Sequence, residues 1–171
     1  MRAAEAEVPL RLPGLKAALA QTAAGLARAT EDLQTISRGI HPAILSRGGI
    51  TPALRTLARR AGVPVKLCLD GPVRLPERVE VAVYYVVSEG LSNAAKHARA
   101  SAVHVELKVE NGVVEASIRD DGVGGADPDR GSGLVGLKDR VEALGGTIET
   151  VSPAGQGTCL QARIPVDSDA P

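Results

Sequence analysis

The sequence predicts an α+β fold, a two-layer α/β sandwich with helices on one face of a mostly antiparallel sheet, preceded by a long heptad-patterned helix. Three observations carry this prediction. Helical periodicity dominates the N-terminal half, strand alternation takes over beyond Ser101, and Asn111-Gly112 joins two β-branched runs with a two-residue hairpin signal. With 171 residues the chain fits one ordinary domain and an appendage, since a domain takes roughly 100 to 200 residues.

Over residues 13–40, Leu15, Leu19, Thr22, Leu26, Ala29, Leu33, Ile36 and Ile40 alternate four and three apart, the spacing of a coiled-coil seam. Large residues fill one set (Leu19, Leu26, Leu33, Ile40) and the other is mixed, which suits a bundle better than a two-stranded zipper. An amphipathic helix packed on its own domain is the alternative. His41-Pro42 ends the element, because the residue before a proline is pushed out of the helical region, and residues 46–49 supply a flexible break. The chain therefore divides into a heptad helix with connector (1–45), a main domain (46–166) and a disordered tail (167–171).

Within the main domain, Thr51-Pro52 reads as an N-cap followed by proline at the first helical position, opening a short helix to Ala61 with Gly62 as its stop. Residues 65–69 alternate as a strand. Residues 76–98 form a long helix, with Val79, Val83, Val86, Val87, Leu91 and Ala94 at helical spacing. Residues 103–109 and 113–119 are the hairpin strands. After a glycine-rich segment, residues 134–144 read as a helix stopped by Gly145-Gly146. Residues 147–151 and 158–165 close the domain as two strands around a turn at 153–157.

Composition narrows the function. Lys plus Arg equal Asp plus Glu at 20 each, which leaves none of the basic excess a nucleic-acid partner requires. No apolar run approaches the roughly 20 residues that cross a bilayer, and the N-terminus lacks a signal-peptide core, so the piece reads as cytoplasmic and without membrane contact. With no Phe or Trp and only Tyr84 and Tyr85, the core must be built from Val, Leu, Ile and Ala, and an aromatic-lined pocket is not expected. Cys68 and Cys159 stand far apart, with no His or Cys at ligand spacing, and read as buried small hydrophobes rather than a zinc site or disulfide.

Three polar patterns carry chemistry. Glu89, Asn93, Lys96 and His97 fall at i, i+4, i+7 and i+8 of the long helix, so a carboxylate, an amide and a cation share one stripe. An amide oxygen suits Mg²⁺, an ammonium suits a phosphate, and a carboxylate can take a proton or orient a water; a merely wet helix face is the alternative. Next, Asp120-Asp121-Gly122-Val123-Gly124-Gly125 follows the second hairpin strand. An aspartate there can accept a hydrogen bond from an exocyclic amine while glycines let a base approach the backbone, although alone the segment could be only a turn. Finally, Gly131-Ser132-Gly133-Leu134-Val135-Gly136-Leu137 opens a helix, where free amides and the helix dipole favour phosphate. No GKS or GKT follows, which excludes the usual P-loop.

In order, Glu-x-x-x-Asn, Asp-x-Gly-x-Gly, Gly-x-Gly-x-x-Gly and Gly-x-Gly-Thr resemble the Bergerat-type ATP-binding domain of the GHKL superfamily, which is shared by histidine kinases, gyrase-type topoisomerases, Hsp90 and mismatch-repair ATPases. The resemblance covers about residues 51–166. Within it, the phrases beginning Ser37-Arg38-Gly39-Ile40-His41-Pro42, Ser88-Glu89-Gly90-Leu91-Ser92-Asn93 and Gly133-Leu134-Val135-Gly136-Leu137-Lys138 look like the nitrate-sensor-type branch of sensor histidine kinases.

This resemblance implies a set of roles. Asn93 is the Mg²⁺ ligand and Asp120 binds the adenine amino group, while Lys96 and His97 lie near the phosphates of ATP. Gly122 and Gly124 shape the adenine pocket; Gly131, Gly133, Leu134 and Gly136 belong to the lid and phosphate cradle; and Thr158 completes the nucleotide pocket. Glu89 matches the residue that activates water in the ATPase cousins. Asn93, Glu89 and Lys96 are thus the expected catalytic residues. Only five residues separate Gly125 from Gly131, so the lid would be short. Residues 1–45 become part of a dimerisation helix through which the parent protein forms a homodimer, and a response regulator is the expected downstream partner.

The branch carries its phosphoacceptor histidine on an earlier helix, followed by an acidic residue. His41, the one histidine on the N-terminal side, is followed by proline instead, which points to a linker role. The accepting histidine is therefore expected outside this chain. His104 alternates within a strand and reads as structural or exposed. Three alternatives remain open: a gyrase- or Hsp90-like hydrolase, an anti-sigma-type serine kinase, and a nucleotide-responsive interaction module.

Overall fold

A computed structural model of the chain describes residues 45, 48–69, 75–127 and 132–166, all inside the compact unit His41–Pro171. The predicted heptad helix, the His41-Pro42 stop, Gly131 and the tail at 167–171 lie outside the described residues. In chain order the elements are α1 (Ile50–Arg60), β1 (Val65–Leu69), α2 (Glu77–Asn93) continued by a π turn (Ala94–Ala98), β2 (Val103–Glu110), β3 (Val113–Asp120), α3 (Ser132–Glu142), β4 (Thr147–Val151) and β5 (Cys159–Pro165). No helix among the described residues is long and apolar enough to cross a membrane.

The five strands form one sheet in the order β1-β2-β3-β5-β4, with β1 parallel to β2 and every other pair antiparallel. Strand periodicity decides its two faces. Val103, Val105 and Leu107 of β2, Val114, Ala116 and Ile118 of β3, and Leu160, Ala162 and Ile164 of β5 are all buried and all point to one side. In register, Val105 faces Ile118 and Ile118 faces Leu160, so the apolar rows run unbroken across the strands. Against them lie Val79, Ala82, Val83, Val86, Val87 and Leu91, the buried stripe of α2. α1 adds Ile50, Ala53 and Leu54, and α3 adds Leu137 and Val141. This is the two-layer α+β arrangement the sequence predicts. The Asn111-Gly112 turn has φ values of 50° and 73°, the pair of positive angles that a two-residue type I′ hairpin demands.

Three readings need correction. Thr51 is not an N-cap: α1 begins at Ile50 after Gly49, with no local side-chain cap, and Thr51 Oγ1 is buried without a hydrogen-bond partner among the described residues. The cap comes from tertiary structure instead. Glu80 of α2 is buried, and its Oε1 accepts the Ile50 N–H at 3.3 Å, so a carboxylate from a neighbouring helix meets the positive end of α1. Second, the cysteines are not core residues; Cys68 is exposed and Cys159 partly so. The alternation that turns Val65, Leu67 and Leu69 toward the helices turns Cys68 to the open face. Cys159 pairs with Arg119 across the ladder on that same face. Third, the long helix is not α-helical to its end, since its last turn is π.

Candidate functional site

Asp120 is the last residue of β3 and sits at an inward position of the strand, where Val114, Ala116 and Ile118 supply core. A carboxylate there is 8% exposed and must be compensated. Its Oδ1 accepts the Gly122 N–H at 2.9 Å and the Thr158 N–H at 3.3 Å. The Asp120 N–H in turn donates to the Thr158 carbonyl at 2.9 Å. Oδ2 has no hydrogen-bond partner among the described residues, so one oxygen is fixed and the other is available to an outside donor.

The segment after Asp120 is clamped between α2 and the β4–β5 loop. The Val123 N–H donates to the Ala98 carbonyl at 2.8 Å, and the Gly125 N–H to the Ser152 carbonyl at 2.9 Å. A Cβ at Gly122 would stand 2.2 Å from the Ala98 carbonyl oxygen, and one at Gly124 would stand 2.1 Å from that of Pro153. On the far side Gly157, at φ 74°, lies so close that a Cβ would sit 2.1 Å from the Asp120 carbonyl oxygen. Backbone packs on backbone here, which only glycine permits. Thr158 Oγ1 is 2.9 Å from Ser152 Oγ, which also accepts the Ala126 N–H at 2.9 Å. Ser152 thus ties both loops together, a role no sequence pattern announced. Asp121 faces elsewhere: its carboxylate accepts the N–H groups of Ser101 and Ala102 and the Ser101 hydroxyl. The hydroxyl first, then the Ala102 amide, hold its carboxyl below the usual aspartate range.

The α2 residues approach this loop through their helix end. Asn93 closes the α-helical part and is half-buried, whereas Lys96 and His97 lie exposed on the π turn. Wider π geometry interrupts the α-helical spacing on which the single stripe was read, so the regular part of that stripe ends at Asn93. Arg99, at φ 52°, turns the chain out of the helix toward β2. From the other side, α3 meets Glu89: a Cβ at Gly133 would lie 2.0 Å from Glu89 Oε1. Leu134 and Gly136 follow on α3 and are partly buried. The C-terminal half of α2 is therefore a shared wall, touched by the loop after Asp120 at Ala98 and by the start of α3 at Glu89. The structure brings Glu89 against Gly133 and Asp120 against Gly122 and Thr158. It does not record a contact joining Lys96 or His97 to either group.

Two further features bear on ligands. A shallow cleft of about 500 Å³ opens toward the open face of the sheet, lined by Asp120 itself with Ala102, His104, Arg119, Asp121, Gly155 and Gln156. It shares Asp120 with the site built above and includes none of the α2 or α3 residues. Among the described residues no three His, Cys, Asp or Glu side chains cluster as a metal site.

Comparison with known proteins gives a consistent answer. Residues 78–168 match the family model described as histidine kinase-, DNA gyrase B- and HSP90-like ATPase. The chain is 33% identical over 150 residues to the sensor histidine kinase NarS of Mycobacterium tuberculosis, covering 81% of this chain and 35% of that protein. It is 30% identical to the oxygen sensor histidine kinase NreB of Staphylococcus carnosus, covering 82% of this chain and 43% of that protein. The chain thus spans less than half the length of each of these two relatives. Among solved structures, the histidine kinase domain of the blue-light activated histidine kinase EL346 from Erythrobacter litoralis superposes with a TM-score of 0.56 at 28% identity, covering 67% of this chain and 57% of that one. The histidine kinase AdeS of Acinetobacter baumannii, at 20% identity, shares the fold with a TM-score of 0.58 over 91% of this chain and 86% of its own. With more than half its length inside the matched model and the glycine-clamped Asp120 loop at its centre, this chain belongs to the family of histidine kinase-, DNA gyrase B- and HSP90-like ATPases.

Proposed function

We propose that this chain is the ATP-binding catalytic region of a sensor histidine kinase of the nitrate-sensor-type branch. It takes Mg-ATP as substrate and delivers the γ-phosphoryl group to a histidine on a dimerisation helix, from which a response regulator is phosphorylated. The observation that carries the reading is Asp120. A carboxylate at a core position with one oxygen held by two backbone amides and the other unbonded among the described residues is built to accept a hydrogen bond from a ligand. The adenine amino group supplies such a donor, and the flanking glycines let backbone pack directly on backbone around the loop that presents Asp120.

The residues present suit Mg²⁺ as well. Asn93 offers an amide oxygen, a hard ligand, and the remaining ligands would come from phosphate oxygens and water. The ion would supply charge neutralisation on the phosphates. The protein's share is positioning: Asp120 orients the base, Lys96 offers an exposed cation to the phosphates, and the α3 N-terminus presents free amides. Residues 1–45 serve as part of the dimerisation helix and its connector, and the acceptor histidine comes from a segment other than these residues.

Calorimetric titration of Mg-ATP, followed by incubation with γ-labelled ATP and a separately supplied dimerisation segment, tests this reading. Expected are saturable nucleotide binding that weakens sharply in Asn93→Ala, label transferred to the added histidine, and no label on the chain itself. Steady ATP hydrolysis without transfer would favour the hydrolase alternative, and strong self-labelling would place the acceptor within this chain.

A further inference from the structure

Glu89 has a neighbour that its place in the Glu-x-x-x-Asn pattern does not explain. Its carboxylate rests on the first turn of α3 so closely that a Cβ at Gly133 would lie 2.0 Å from Oε1 and 2.8 Å from Cδ. A side chain at residue 133 would require the carboxylate to move away. The first turn of a helix carries amides without intrahelical partners and the positive end of the helix dipole, and it is stabilised by negative charge. α3 has no acidic residue of its own in that turn. The missing charge is supplied from across the interface, by α2.

We propose that Glu89 is the resident anion of the α3 N-terminus in the nucleotide-free chain, and that incoming phosphates must displace it. Glu89 and nucleotide then compete for one electropositive position, and release of the carboxylate accompanies binding. That the incoming anion is a nucleotide phosphate rests on the Mg-ATP reading above; the contact itself does not. Farther along α3, Arg140 lies over the ring of Tyr85 with 4.7 Å between guanidinium carbon and centroid, a cation–π contact that holds the later turns on α2. Release of Glu89 therefore loosens the first turn and leaves the rest of α3 in place.

Two measurements on the whole chain test this proposal. Amide hydrogen exchange without nucleotide should show Gly133, Leu134 and Val135 exchanging about 3- to 10-fold faster in Glu89→Ala than in wild type, with Lys138 to Val141 unchanged. Mg-free ADP should bind Glu89→Gln, which keeps the shape and loses the charge, about 3- to 10-fold more tightly than wild type. A purely structural or purely catalytic glutamate predicts no gain in affinity. Unchanged first-turn exchange in Glu89→Ala would overturn the contact, and equal or weaker ADP binding by Glu89→Gln would overturn the competition. If neither protein binds nucleotide, the Mg-ATP reading and the competition fall together, while the exchange result still judges the contact.

Discussion

Asp120 offers a perturbation in which folding and ligand binding can be separated. Its Oδ1 satisfies two backbone amides, Gly122 at 2.9 Å and Thr158 at 3.3 Å, in a residue only 8% exposed. Truncation to Ala removes both acceptor contacts. A hydrogen bond to a charged group is worth about 1.5–3 kcal/mol, and the Thr158 contact is long, so Asp120→Ala should lose about 2–4 kcal/mol of unfolding free energy. Asp120→Asn keeps an oxygen toward both amides and should cost only about 1 kcal/mol. The side facing the ligand behaves oppositely, because the amide NH₂ then stands where the free oxygen stood and meets the adenine amino group donor to donor. Loss of one charged hydrogen bond corresponds to about 10- to 100-fold weaker ATP binding. Urea denaturation and calorimetry on the two variants read the two effects independently. If Asp120→Asn bound ATP as wild type does, the base could not be read by Oδ2; if Asp120→Ala were as stable as wild type, the two amide contacts would not support the loop.

Two further outcomes follow from the packing and the charges. Gly90→Ala should destabilise the domain by about 1–2 kcal/mol although alanine is the better helix former by about 1 kcal/mol, because the new Cβ would meet Ile118 Cγ2 at 2.9 Å inside the core; a rise in Tm would show that Ile118 can move aside. Asp121 has its carboxyl lowered by Ser101 and Ala102, so its stabilising contribution is present above the unfolded value of about 3.9 and is lost as pH falls through the lower folded value. Asp121→Asn should therefore be less stable than wild type at pH 7, with the gap closing below about pH 4 in urea titrations; a gap independent of pH would mean that the carboxylate charge plays no part in holding Ser101 and Ala102.

Much of this architecture was legible because local chemistry and tertiary structure agree. β1 and β4 fall where alternation put them, and the hairpin is fixed by Asn111-Gly112, whose positive φ angles few other pairs adopt cheaply. Asp120 was singled out by its Asp-x-Gly-x-Gly pattern, whereas its burial emerges only from the structure: β3 runs one residue past the expected 119, and the parity that buries Ala116 and Ile118 then buries Asp120 too. What the sequence hid depends on distant residues. The cap of α1 comes from Glu80, thirty positions away, and neither residue carries a local sign of the pairing. Nothing in Ala94-Ala95-Lys96-His97-Ala98 announces a π turn. Placement of β4 at the sheet edge beyond β5 is a matter of topology, not propensity. The exposure of Cys68 was readable and was missed, since its parity with Lys66 assigns it to the open face while residue type alone suggested the core.

The most direct test is an amide-resolved NMR titration of the chain with Mg-ATP. Gly122 and Thr158 beside Asp120, Asn93 on α2 and Leu134 on α3 should all shift and saturate at the same ligand concentration, as the proposed single site requires. Shifts confined to a single one of these groups, or growing linearly without saturation, would contradict a common nucleotide site and the kinase reading with it.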